Sequence, residues 1–352
     1  MRASCLKVVV VGKGIVGSSF AWWLSLAGAE VTVVARDESG HDESATPCSW
    51  AWINAGRFTS PEYSRFRHSS SRIWDEILTQ IPEIPVSGGG SLIWDQPRQE
   101  LEMLAASLNS LGRGCELLEG GEIKAAAPYL RHAPSCALLI PSDRAIEPVH
   151  AAAALLKASG ASVVDARVEG LAARGSKITG VLTASEVIQA DEVVVAAGLG
   201  SQEILRSVGS ELDLNSTIGV LGYSSPVPKF LGHLLIGPEV HVRQDWKGRL
   251  VAGGKFDGLS SEMPTRKAAR QQLRSAKSIL DCEHEIVLEN YTVGRRVIPA
   301  DGLPKIGRVR GFSGLFLAVM HSGMTNAAAA GKFGAAEIIT GTRDALLNPF
   351  QP

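Results

Sequence analysis

Gly12, Gly14 and Gly17 stand directly after an apolar run at residues 8–11 and directly before a helix-like segment at 18–27. That segment ends at Gly28, and a second apolar run follows at 31–34. A strand, a G-x-G-x-x-G turn, a helix and a second strand open a dinucleotide-binding α/β fold. Each glycine has its own task there. Gly12 permits the tight turn, Gly14 leaves room for a pyrophosphate, and Gly17 lets the helix pack on the strand. The N–H groups of Gly14, Ile15 and Val16 open the helix, where free donors and the helix dipole favour an anion.

An acidic residue is expected at the end of the second strand, to bind a ribose hydroxyl. The sequence has Ala35 there, followed by Arg36 and Asp37. Either Asp37 substitutes, or Arg36 contacts the adenosine part. An arginine at this place is also compatible with a 2′-phosphate, and so with NADP.

Charge and composition remove other classes. With 35 basic and 36 acidic residues in 352, the chain has a net charge of −1 and no basic excess for a nucleic-acid partner. A 45% hydrophobic content is that of a folded globular protein. The five cysteines, at 5, 48, 115, 136 and 282, form no C-x-x-C pair, which argues against a disulfide framework or a zinc site. No apolar run approaches the roughly 18 residues of a membrane span. The N-terminal segment lacks the longer apolar core of a signal peptide. The expectation is a cytoplasmic protein without metal or membrane span.

Further along, helices are expected at 62–80, 98–111, 148–158, 262–280 and 324–340. Buried strands are expected at 193–197 and 314–319, and several strands over 217–256. The tryptophans at 22, 23, 50, 52 and 74 read as core aromatics more than as site residues.

Four blocks, taken in order, resemble the D-amino-acid oxidase-like flavoproteins, which include glycine oxidase, monomeric sarcosine oxidase and D-amino-acid dehydrogenases. They are residues 8–36; residues 146–161, where a helix begins after Pro148; residues 193–201, V-V-V-A-A-G-L-G-S; and residues 294–307, G-R-R-V-I-P-A-D-G-L-P-K-I-G, with H-S-G-M-T at 321–325. The resemblance implies a Rossmann-like FAD-binding domain formed by 1–60, 145–215 and 290–352. It also implies a discontinuous α+β substrate domain, 61–144 and 216–289, built on a mainly antiparallel sheet. It implies oxidation of a C–N bond in an amino acid or secondary amine, with hydride passing to flavin N5. The imine product hydrolyses, and oxygen or another acceptor reoxidises the flavin.

The resemblance also distributes roles. Arg296, five residues before Asp301, matches an arginine that grips the substrate carboxylate, and it is counted among the cofactor contacts as well. A guanidinium suits that task because it stays charged and binds bidentately. Arg295 is its nearby competitor, and a structural salt bridge is the alternative for both. His241 stands where relatives carry a substrate-facing tyrosine; the alternative is a histidine on the outer face of the sheet. Arg243 shares its face by alternation and is a candidate for a second carboxylate. His321, Ser322, Gly323, Met324 and Thr325 match the turn beside the flavin pyrimidine, where backbone N–H groups stabilise negative charge. His321 is also a candidate for chemistry of its own. Asn54, Ala55, Gly56 and Arg57, flanked by Ser49 and Trp50, match the segment lying against the flavin. Ala35, Arg36 and Val168 match the adenosine contacts, and Ala197 and Gly198 the second FAD-contacting turn. Lys255 is either a site lysine or a solvated one.

Sarcosine oxidase attaches its flavin through a cysteine just before the block at 294–307. No cysteine follows Cys282, so non-covalent FAD is expected. The competing readings are an NADP-dependent dehydrogenase on the same nucleotide-binding fold and a flavoprotein subunit without catalysis of its own. Oligomeric state is open.

Overall fold

The computed structural model describes residues 5–36, 44–56, 60–254 and 265–352. Asp37, Arg57 and Lys255 lie outside them.

A six-stranded sheet forms around Lys7–Val11. Its order is Lys305–Arg308, Leu315–Val319, Glu192–Val195, Lys7–Val11, Glu30–Val34 and Ser162–Val164. All neighbours are parallel except the pair Lys305–Arg308 and Leu315–Val319. The valine run is explained by burial on both faces. Val8 and Val10 pack towards the helices Ile15–Leu26, Pro148–Ser159 and Gly323–Thr340. Val9 and Val11 pack towards a three-stranded sheet, Val168–Arg174, Lys177–Thr183 and Val187–Gln189, and the short helix Ser201–Arg206.

A second sheet has eight strands in the order Leu288–Pro299, Leu214–Pro226, Arg249–Gly253, His241–Gln244, Leu234–Ile236, Ser91–Ile93, Cys136–Ile140 and Glu116–Glu119. It is antiparallel apart from Leu234–Ile236 against Ser91–Ile93. The expected mainly antiparallel sheet is therefore present. Helix Thr265–Ile279 buries Ala269, Leu273 and Ala276 against it.

The expected division at 215/216 and 289/290 falls inside two paired strands. Leu214–Pro226 and Leu288–Pro299 form one long ribbon, in register from Leu214 opposite Pro299 to Tyr223 opposite Asn290, with a one-residue shift before Ser224 meets Leu288. The helix Pro61–Gln80, expected in the substrate region, buries Phe66, Trp74 and Ile77 in the same cluster as Val8 and Val10. It packs along the last helix, Gly323–Thr340, through Ser70 and Trp74. All five cysteines are free thiols. Among the described residues no helix is long and apolar enough to cross a membrane.

Candidate active site

One cavity of about 1410 Å³ runs from the glycine turn to the face of the eight-stranded sheet. Gly12, Gly14, Ile15 and Val16 line its nucleotide end. Gly12 has φ +105°, and a Cβ there would lie 2.6 Å from the Ala196 carbonyl oxygen. A Cβ on Gly17 would lie 1.9 Å from the Gly12 carbonyl oxygen, so Gly17 serves close helix packing and is not itself in the wall. Thr46, which the sequence did not mark, accepts the Ile15 N–H through Oγ1 at 3.1 Å. Ala35 (half-buried), Arg36 (exposed) and Val168 line the same end.

Two strand ends form the next stretch. Glu192–Val195 runs out into Ala196, Ala197 and Gly198, with Gly198 at φ +58°. Leu315–Val319 runs out through His321 and Ser322 into the helix Gly323–Thr340, and His321 to Thr325 all line the cavity. Among the described residues only Ala51 and Ser322 are non-glycine residues with left-handed φ, 67° and 55°. Both are in the cavity wall. Such residues each cost about 1–3 kcal/mol and persist where surrounding structure over-determines them.

That surrounding structure comes from the helix Pro61–Gln80. Ser70 Oγ donates to the Thr325 carbonyl at 2.6 Å and accepts the Ala329 N–H at 2.9 Å. Trp74 Nε1 donates to the Met324 carbonyl at 2.8 Å. Asn326 Nδ2 donates to Tyr63 Oη at 2.9 Å and to the His321 carbonyl at 3.0 Å. Arg67, 1% exposed, donates from Nη2 to Asn54 Oδ1 at 2.8 Å. The Arg67 and Ser70 contributions were missed because polar residues on a helix read as a solvated face. His321 shares a 3.1 Å contact between its Nδ1 and Ser322 Oγ. Burial, then the cations Arg67 and Arg296, push its pKa down to about 4, so the ring is neutral near pH 7.

Asn54 lines the cavity, but Ala55 and Gly56 do not. Ala55 is 1% exposed in a separate apolar cluster, and a Cβ on Gly56 would lie 3.3 Å from Leu104 Cδ1. Their expected place against the cofactor is therefore taken by packing against the helix Arg98–Ser110.

At the far end, strand register brings the polar groups to one face. Arg296 pairs with Thr217, Gly294 with Gly219, and Gly253 with both Leu221 and His241. Alternation puts Arg296, Gly219, Leu221, Gly253 and His241 on the same side. Arg296 Nη1 donates to Thr217 Oγ1 at 3.2 Å. A Cβ on Gly219 would lie 3.1 Å from Arg296 Nη2, so the missing side chain makes room for the guanidinium. His241 lines the cavity with its ring 5.9 Å from that of Trp50. Arg295 lines it too.

Arg243 is a correction. It lies on the expected face but not in the wall. Its Nη1 donates to Glu147 Oε1 at 2.6 Å and its Nε to the Trp50 carbonyl at 2.9 Å. The segment carrying Trp50 lies between it and the cavity, and its charge is already matched.

Residues 7–337 match the DAO family model, described as FAD dependent oxidoreductase. The chain belongs to this family of FAD-dependent oxidoreductases. The NADP reading drawn from Ala35 and Arg36 is thereby overturned: the cofactor is FAD. The glycine oxidase of Pseudomonas putida is 26% identical over 340 residues, covering 90% of this chain and 89% of that one. The crystal structure of glycine oxidase from Geobacillus kaustophilus superposes with a TM-score of 0.85 at 20% identity, covering 98% of each chain. Iminodiacetate oxidase from Chelativorans sp. BNC1 gives a TM-score of 0.85 at 22% identity, covering 98% of each chain. This oxidoreductase fits its cofactor on its own geometry. The glycine cradle that a Cβ would fill, the two helix starts and a cavity lined from the glycine turn to the second sheet suit a dinucleotide whose ring end reaches that sheet.

Proposed function

We propose that this chain oxidises the C–N bond of an amino acid or secondary amine whose carboxylate is held by Arg296. The observation that carries the reading is the register that turns Arg296 and His241 to one sheet face, inside a cavity continuous with the glycine turn.

When bound, FAD supplies the hydride acceptor. Gly12, Gly14, Ile15 and Val16 would hold its pyrophosphate, and Ala35, Arg36 and Val168 would border the adenosine. Asn54, Ala197, Gly198 and the turn from Ser322 to Thr325 would border the ring. The N–H groups opening the helix Gly323–Thr340 place positive potential at that turn. Arg296 orients the substrate so that its α-hydrogen is presented in one direction. The donor must reach the site as the free amine. His241 stands three strands from Arg296 on this face, so it borders the far end of the donor and not its amine, whose proton leaves to solvent. His321, kept neutral, adds no further positive charge to the site beside Arg296. The substrate loses a hydride from carbon and a proton from nitrogen, and water then hydrolyses the imine.

FAD is held without a covalent link in this reading. Cys48 is the cysteine in the wall, and its Sγ donates to the Val293 carbonyl at 3.2 Å. Acid precipitation should leave all flavin in the supernatant.

The test is anaerobic addition of amino acids and amines to the yellow holoenzyme. One or more should bleach the flavin, with free substrate turning over, which also separates this reading from a non-catalytic subunit. Arg296→Ala should raise KM for a carboxylate-bearing donor about 10–100-fold. Unchanged KM, or no bleaching by any donor, overturns the proposal.

A further inference from the structure

We propose that Trp50 determines substrate class: with His241 it makes a fixed aromatic wall that accepts an uncharged, apolar or planar substituent at the end of the site away from Arg296. This rests on the reading of Arg296 as the carboxylate grip.

Arg296 and His241 lie on strands separated by three strand spacings, about 14 Å across the sheet. A donor anchored by its carboxylate therefore directs its remaining substituent towards the far end. Trp50 stands there, lining the cavity while only 7% exposed. Its indole is held from several sides. Nε1 donates to the Val251 carbonyl at 3.0 Å, and the ring meets that of His241 at 5.9 Å. Its carbonyl accepts from Arg243 Nε at 2.9 Å, and Arg243 is anchored on Glu147. The next residue, Ala51, is in the left-handed region at φ 67°, with its N–H donating to Ser49 Oγ at 3.0 Å. The backbone leading into the indole is thus fixed as well as the ring.

Gly253 puts no side chain beside the indole, and a Cβ there would lie 3.8 Å from Trp50 Cδ1 and crowd Leu221 Cδ2 at 3.0 Å, so Leu221 and the indole border the site together. An immobile aromatic surface beside a leucine rewards a flat apolar group and offers a carboxylate no compensation for lost water. Arg243 does not change that, because its charge is matched by Glu147 behind the Trp50 backbone.

The test uses simple carboxylates on the FAD-loaded protein, read by the perturbation of the flavin spectrum. Acetate, phenylacetate and succinate are titrated into the native protein, Trp50→Ala and Trp50→Phe, with FAD content per chain measured in each. Phenylacetate should bind at least about tenfold tighter than acetate in the native protein. Succinate should gain nothing over acetate. Trp50→Ala should erase the phenylacetate advantage, and Trp50→Phe should restore most of it. Succinate bound tightest overturns the proposal, as does a phenylacetate-to-acetate ratio unchanged in both variants at full FAD content. Arg296→Ala separates the two readings. Acetate binding that survives this change defeats the carboxylate grip, while the response of the ratio to Trp50 still reports on the wall.

Discussion

Arg243 Nη1 and Glu147 Oε1 meet at 2.6 Å with the arginine 1% exposed. The pair ties the strand His241–Gln244 to the start of the helix Pro148–Ser159, and so the second sheet to the first. Breaking a buried pair from one side leaves an uncompensated charge and costs about 3–5 kcal/mol. Glu147→Gln should therefore destabilise more than the double change Glu147→Leu with Arg243→Met. A double-mutant cycle by chemical denaturation measures this. Equal losses in the single and double variants would show that the pair is not a unit.

Arg67→Met removes a buried cation and the donor to Asn54 Oδ1. Leaving that acceptor without its donor costs about 1–3 kcal/mol. The same change removes one of the causes that depress His321, so its pKa should rise from about 4 towards the ordinary range. NMR titration of the ring reads this directly. An unmoved His321 pKa would mean that burial and Arg296 set it without Arg67.

His321 also gives the fold an acid sensitivity with a defined sign. Its pKa is about 4 folded, against about 6.5 unfolded. The unfolded chain binds the proton more readily, so this contribution to stability is complete above about pH 6.5. It is lost as pH falls towards about 4, by on the order of 3 kcal/mol. His68 and His233, both lowered chiefly by burial, act in the same direction. His321→Asn should flatten part of the slope of unfolding free energy between pH 6.5 and 4. A slope identical to that of the native protein would remove His321 from the account.

Gly17, in the first turn of the first helix, and Gly28, just past its end, should respond oppositely to alanine. At Gly17 the new Cβ meets backbone at 1.9 Å, so Gly17→Ala should distort the turn and abolish FAD retention. At Gly28 no atom lies within 4 Å and only φ +88° opposes the change. Gly28→Ala should cost about 1–2 kcal/mol and keep FAD. Flavin content after gel filtration decides both.

The first sheet was legible because strands buried on both faces leave unbroken apolar runs, as at residues 8–11 and 315–319. The glycine turn was legible because backbone clearance is written in residue type. Arg67 was not legible, since it is polar in a polar stretch and is buried among Asn54, Thr325 and Tyr63, which only the folded chain brings together. Trp50 read as core, and it is nearly buried; what the sequence did not show is that its remaining face borders the cavity. Arg243 had the right face and the wrong partner, because alternation specifies direction and not which acceptor lies there. The strand Ser91–Ile93 pairs with Leu234–Ile236 across a long sequence separation, which no local pattern encodes.

The ribbon of Leu214–Pro226 and Leu288–Pro299 carries two adjacent arginines, only one of which can face the same way as Gly294. One residue inserted between Gly294 and Arg295 would shift the alternation and present Arg295 where Arg296 now stands. Substitutions elsewhere along this strand pair are open to drift, but its length is not. Homologues that keep the same chemistry should vary here in letters and never in count.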